Sequence, residues 1–133
     1  MLDTLVTGGV GAILSPLIAR AANVEASDRV VFEQQLPHLV LDKWKMTALE
    51  VTYAPGEMDD AHRHPGFVFG YVLEGTLRFR LDGQTETTYH AGQMFYEFPG
   101  SVHRVSGNAS GTQPARLLAM IFAQQDQALT APV

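Results

Sequence analysis

The stretch GEMDDAHRHPGFVFGYVLEG, Gly56 to Gly75, sets His62 and His64 one residue apart and follows them with a run of Phe, Val, Tyr and Leu that stops at Glu74-Gly75. Aromatic and β-branched residues bounded by turn residues predict a strand and then a tight turn. In extended backbone successive side chains alternate faces, so His62 and His64 project the same way while Arg63 points oppositely. Such a pair can chelate one ion but leaves most of its coordination sphere open, so further donors must come from another strand. His103, in FPGSVHRV, is the natural candidate.

The same rhythm of apolar runs and turns extends in both directions. Strands are predicted over Arg29–Phe32, Trp44–Ala54, Phe67–Glu74, Thr76–Asp82, Glu86–His90, Met94–Phe98, His103–Ser106 and Ala115–Ala123. Pro55-Gly56, Asp82-Gly83, Ala91-Gly92 and Pro99-Gly100 break them. Many short strands with regular turns are the pattern of an all-β sandwich or barrel. Gly75 and Gly92 fall where tight connections call for positive φ or a small residue. By composition, Asn108 to Gln113 is a loop and the tail after Gln124 a surface extension.

A chain of 133 residues, 46% apolar and 17% charged, is long enough to bury one core and has the make-up of an ordinary globular domain. The net charge of −5 and the scattered Lys and Arg provide no basic stripe, which argues against nucleic acid as a partner. With no cysteine, thiolate chemistry and sulfur-ligated metals are excluded, leaving His, Asp and Glu as ligands. Domain organisation is expected as an N-terminal apolar extension over 1–28, a barrel over 29–125 and a tail over 126–133.

Leu5 to Ala22 differs from everything downstream. Gly8, Gly9, Gly11 and Pro16 interrupt it, which argues against a membrane-spanning helix. Its apolar run followed by Ala-Arg-Ala-Ala resembles a secretory signal, but the head carries Asp3 and no Lys or Arg. The alternative is a packing arm. The chain is exported or periplasmic if the first reading holds, and otherwise cytoplasmic.

The spacings carry a further implication. Gly56, five residues, His62, one residue, His64, and Gly75 after the strand resemble the first motif of the cupin family. Gly92, five residues, Phe98, one residue, Gly100, two residues, His103, four residues and Asn108 match the second. The likeness extends with flanking strands from about Trp44 to Ala123. It implies a conical antiparallel jelly-roll barrel, the double-stranded β-helix, with a metal held in its wider mouth by His62, His64 and His103.

Two departures stand out. The family usually places a glutamate ligand four residues after the second histidine, and Val68 occupies that position. The second motif normally has proline at Phe98, whereas here it comes one position later, at Pro99. A carboxylate could come from Glu57, Asp59, Asp60 or Glu97, although Asp60 stands a strand repeat of roughly 7 Å from His62. A three-histidine site is the favoured expectation, since imidazoles suffice for Fe, Zn, Cu or Ni. Its ion would keep its full double charge and act as a strong Lewis acid.

Phe67, Val68, Phe69 and Tyr71 on one strand and Phe95, Tyr96 and Phe98 on another are expected to give an apolar pocket, with bulky filling of a small barrel as the simpler role for most of them. Tyr71 and Tyr96 are the candidate catalytic residues, because a buried hydroxyl needs a partner and could act on a substrate. His38 and His90 lack a spacing partner, Arg104 should face away from the metal, and Trp44 and Met46 suit packing or a subunit contact.

The expected function is a metal-dependent enzyme acting on a small organic molecule, with one divalent ion (Fe favoured; Mn, Zn, Ni or Cu possible). Dioxygenase-type oxidation is named first. A Lewis-acid isomerase or lyase and a non-enzymatic sensor are the alternatives. A homodimer is the expected assembly.

Overall fold

The computed structural model describes residues 28–133. The Leu5–Ala22 stretch, and with it the choice between signal and packing arm, lies outside them. Among the described residues there are nine strands: β1 (Trp44–Tyr53), β2 (His62–Arg63), β3 (Phe67–Glu74), β4 (Thr76–Leu81), β5 (Thr87–His90), β6 (Met94–Glu97), β7 (Val102–Asn108), β8 (Ala115–Gln124) and β9 (Ala131–Pro132). None of the described residues forms a helix long and apolar enough to cross a membrane.

The strands make two antiparallel sheets, one ordered β1-β8-β3-β6 and the other β5-β4-β7-β2-β9. Their facing sides enclose a core of Val72, Leu77, Phe79, Leu81, Phe95 and Leu117. Turn chemistry sets the connections. Gly75 joins β3 to β4 at φ 75°, and a Cβ there would collide with the Pro114 carbonyl. Gly92 turns β5 into β6 at φ 86°, which glycine reaches without steric cost.

Register decides which side chains look inward. Val68 pairs with Glu97 and Ile121, and Phe69 pairs with Tyr96 and Met120. Residues directly opposite share a face, so Val68, Glu97 and Ile121 turn to the interior while Phe67, Phe69 and Tyr71 lie on the outer face of the sheet. There Phe67 stacks on Phe122 with centroids 4.7 Å apart. Most of the apolar wall expected around the site is therefore outside the barrel; only Val68 and Phe95 of that group line the interior cavity.

The ends of the chain also differ from expectation. Arg29–Phe32 forms no strand: Val30 and Val31 stay exposed, and Phe32 meets Phe69 edge-on instead of joining a ladder. The tail does more than extend over the surface. It returns as β9, where Ala131 and Pro132 pair with Arg63 and His62. Proline lacks an N–H, and β9 is the edge strand of its sheet, where that loss is tolerated.

Candidate metal centre

Two strands of the second sheet bring the histidines together. His62 on β2 lies directly opposite His103 on β7, with ring centroids 5.1 Å apart. His64 follows β2 immediately, and its ring is 5.1 Å from that of His62. Val68, on β3, is one of the cavity-lining residues alongside all three.

Backbone carbonyls orient two of the rings. His62 Nδ1 lies 2.9 Å from the Asp60 carbonyl, and His64 Nδ1 lies 2.7 Å from the Leu129 carbonyl. A carbonyl only accepts, so each Nδ1 carries the proton and each Nε2 keeps a lone pair, the tautomer a metal ligand needs. Asp60 thus serves His62 through its main chain. Burial is the chief influence on His64 and lowers its pKa, outweighing the nearby Glu97 carboxylate, so the ring is neutral at pH 7. Its 4.0 Å approach to Glu97 is consequently not an ion pair.

Glu97 is the residue that the histidine spacing does not point to. It ends β6 with only 3% of its surface exposed, and one oxygen lies 3.3 Å from His103 Nδ1. Its register partner is Val68, the position where the cupin resemblance expects a carboxylate. A carboxylate therefore approaches the same wall from the neighbouring strand.

Glu97 Oε2 and His103 Nε2 are both buried without a hydrogen-bond partner. Leaving such groups unpaired costs about 1–3 kcal/mol each, and more for a charge. Among the described residues, no three His, Asp or Glu side chains form a ready-made cation cage. The three imidazoles and the Glu97 carboxylate instead lie side by side along one wall of the cavity. Partnerless buried donors beside two imidazoles locked in the ligating tautomer nevertheless suit a divalent cation that prefers nitrogen and oxygen ligands.

The wall borders a cavity of about 320 Å³. Leu49, Val51, Phe95, Leu117 and Ile121 supply apolar surface, and the carboxylates of Asp59, Asp60 and Glu97 supply charge. Tyr53 hydrogen-bonds to Asp59 and lies 3.0 Å from Ser106 Oγ. Burial first, and then the bond to Asp59, push the Tyr53 hydroxyl far above its ordinary range, so it remains a proton donor.

Tyr71 and Tyr96 are not brought to this site. Both point from the outer face, because β3 and β6 alternate and Val68 and Glu97 take the inward positions. Tyr96 borders a separate surface depression with Phe32 and Phe98, and its buried hydroxyl has no partner. His90 sits exposed on β5, His38 is exposed, and Arg104 faces out to Asp82. Tyr53 carries a signal the sequence contains: it lies two and four residues beyond Val51 and Leu49 on one strand face. Leu129 carries none, since any residue offers a carbonyl.

Comparison with known proteins agrees with this architecture. An uncharacterised conserved protein with a double-stranded β-helix domain from Klebsiella pneumoniae is 21% identical, with a TM-score of 0.55 over 65% of this chain and 72% of that one. The DMSP lyase DddQ from Ruegeria pomeroyi is 17% identical, with a TM-score of 0.58 over 66% of this chain and 43% of the lyase. Oxalate decarboxylase from Bacillus subtilis, studied for its Mn(II) centres, is 24% identical, with a TM-score of 0.56 over 66% of this chain and 24% of the decarboxylase. These likenesses establish the fold. No curated protein matches the chain. The family described as the cupin domain matches residues 49–121, which are 73 of the 133, and the chain therefore belongs to the cupin family.

Proposed function

We propose that this cupin is a mononuclear metal enzyme acting on a small organic molecule in the 320 Å³ cavity, with His62, His64, His103 and Glu97 as ligands of one divalent ion. The pair of partnerless buried atoms, His103 Nε2 and Glu97 Oε2, carries this reading. A protein of the same fold, the Bacillus subtilis oxalate decarboxylase with its Mn(II) centres, supports it. Fe is favoured, and Mn, Zn, Ni and Cu all accept such a donor set. Three neutral imidazoles and one carboxylate leave the ion with a single net positive charge, less than a purely three-histidine site would.

The ion would supply open coordination positions for substrate and dioxygen, or Lewis-acid polarisation of an oxygen atom. Dioxygen-dependent oxidation is the favoured reaction. A Lewis-acid lyase or isomerase is the second reading, favoured by one observation: the Tyr53 hydroxyl and Asp59 carboxylate at the cavity can hold or pass a proton. The apolar walls orient the carbon skeleton and exclude water from the histidine wall.

Metal analysis of wild type and His103→Ala, coupled to an oxygen-uptake screen, tests the proposal. Expected are one ion per chain, its loss in the variant and substrate-dependent oxygen consumption. Turnover without oxygen uptake would select the Lewis-acid reading, and ligand binding without turnover a sensor. Equal metal content in both proteins would overturn the ligand set.

A further inference from the structure

The cavity has a second polar pole outside the proposed metal-ligand set. Asp59 and Asp60 form it beside Glu97, and among the described residues no Lys or Arg lines the cavity. Asp59 is exposed at the rim, yet it is fixed from two directions. Its main-chain N–H donates to the Ser106 carbonyl at 2.8 Å, and its carboxylate accepts from Tyr53. A carboxylate has no proton to give, so Tyr53 donates to Asp59 and Ser106 donates to Tyr53, making a one-way relay of hydrogen bonds.

The loop behind Asp59 is held equally firmly. Met58 bridges Gly107, and the Asn108 N–H reaches the Glu57 carbonyl at 2.8 Å. A side chain at Gly107 would run into Glu57 and Met58. Holding a solvent-facing carboxylate this still costs conformational freedom that a surface aspartate ordinarily keeps. Its exposure leaves it open to a ligand entering the cavity.

A cavity with mostly apolar walls, several carboxylates, three imidazoles held as metal-ligand donors and, among the described residues, no Lys or Arg is a poor host for an anion that cannot ligate a metal. It is a good one for a cation on an apolar frame. The partnerless buried Glu97 Oε2 and His103 Nε2 mark the inner end as a place where a ligand or ion belongs.

We propose that Asp59, clamped by Tyr53 and Ser106, is the specificity-determining residue of the cavity and selects small molecules with an alkylammonium or similar onium head. The inference rests on the cavity's being the ligand site and does not require the metal.

The test uses choline and its uncharged carbon isostere, in which a tert-butyl group replaces the trimethylammonium. Each is titrated by calorimetry into wild type and Asp59→Asn, in chelator-treated and metal-reconstituted protein. Choline should bind wild type at least about fivefold more tightly than the isostere, the ratio one ion pair at about 4 Å gives even under full water screening. That preference should shrink in Asp59→Asn while the isostere binds unchanged, which also shows that the variant is folded. Equal binding of the two probes by wild type, a preference that survives Asp59→Asn, or no binding of choline would each overturn the proposal. Metal content is measured separately, so a missing ion counts against the ligand set and a missing charge preference against Asp59.

Discussion

Val68 and Glu97 stand directly opposite each other on β3 and β6, and both face the cavity. Side chains so placed have Cβ atoms roughly 4.5–5.5 Å apart, so a carboxylate grown from either strand reaches the same region. Three variants follow from this geometry. Glu97→Val should weaken metal binding by at least about 10- to 100-fold, the loss typical even for an outer-shell partner of a metal site. Val68→Glu alone should lower thermal stability in the metal-free protein, since Val68 is 1% exposed and a second carboxylate would oppose Glu97. The exchange Val68→Glu with Glu97→Val should recover most of the lost affinity. Competition with a chromophoric chelator measures all three. An exchange as weak as Glu97→Val would place the carboxylate's role away from the ion.

At the scale of elements, the two-residue β9 matters more than its length implies. It pairs with β2, and the segment leading into it supplies the carbonyl that orients His64. Deleting residues 128–133 should leave the barrel folded by circular dichroism while weakening metal binding about 10- to 100-fold, as loss of an outer-shell hydrogen bond does. Unchanged affinity would show that His64 needs no such anchor. The turns make a contrasting case. Gly75→Ala should cost more stability in urea unfolding than Gly83→Ala: both positions have φ of 75°, but only Gly75 would meet neighbouring atoms. That difference also explains what the sequence makes legible. Hairpin glycines and the HRH pair are local signals, and the strands they bound match closely, with β7 extending to Asn108. Glu97 depends on register across two strands, and β9 on two residues without periodicity. The facing of Tyr71 and Tyr96 was obscured because β3 is apolar on both sides, leaving no polar alternation to orient it.

That two-sided apolar character has a consequence for the whole molecule. An antiparallel sheet with one wet face normally alternates apolar and polar residues. The outer face of β1-β8-β3-β6 instead presents Phe69, Tyr71, Leu118, Met120 and Phe122, each only partly exposed. Phe32 covers part of it by an edge-on contact with Phe69, and Met46 beside it is 52% exposed. Among the described residues β1 has no partner on its other side, so the apolar face meets an open ten-residue edge. Contiguous exposed apolar surface of this kind marks association sites, and a second copy of the chain presents the same surface in self-complementary form. We therefore expect a homodimer in light scattering coupled to size-exclusion chromatography. Met120→Lys, which puts a charge in the middle of the face, should weaken dimerisation at least about tenfold, equivalent to about 1.4 kcal/mol. Metal content should not change, because Met120 lies on the outer face of the β1-β8-β3-β6 sheet, whereas His62, His64 and His103 line the interior cavity from the other sheet. A monomeric wild type would refute the assembly. A dimer indifferent to Met120→Lys would move the contact to the free edge of β1.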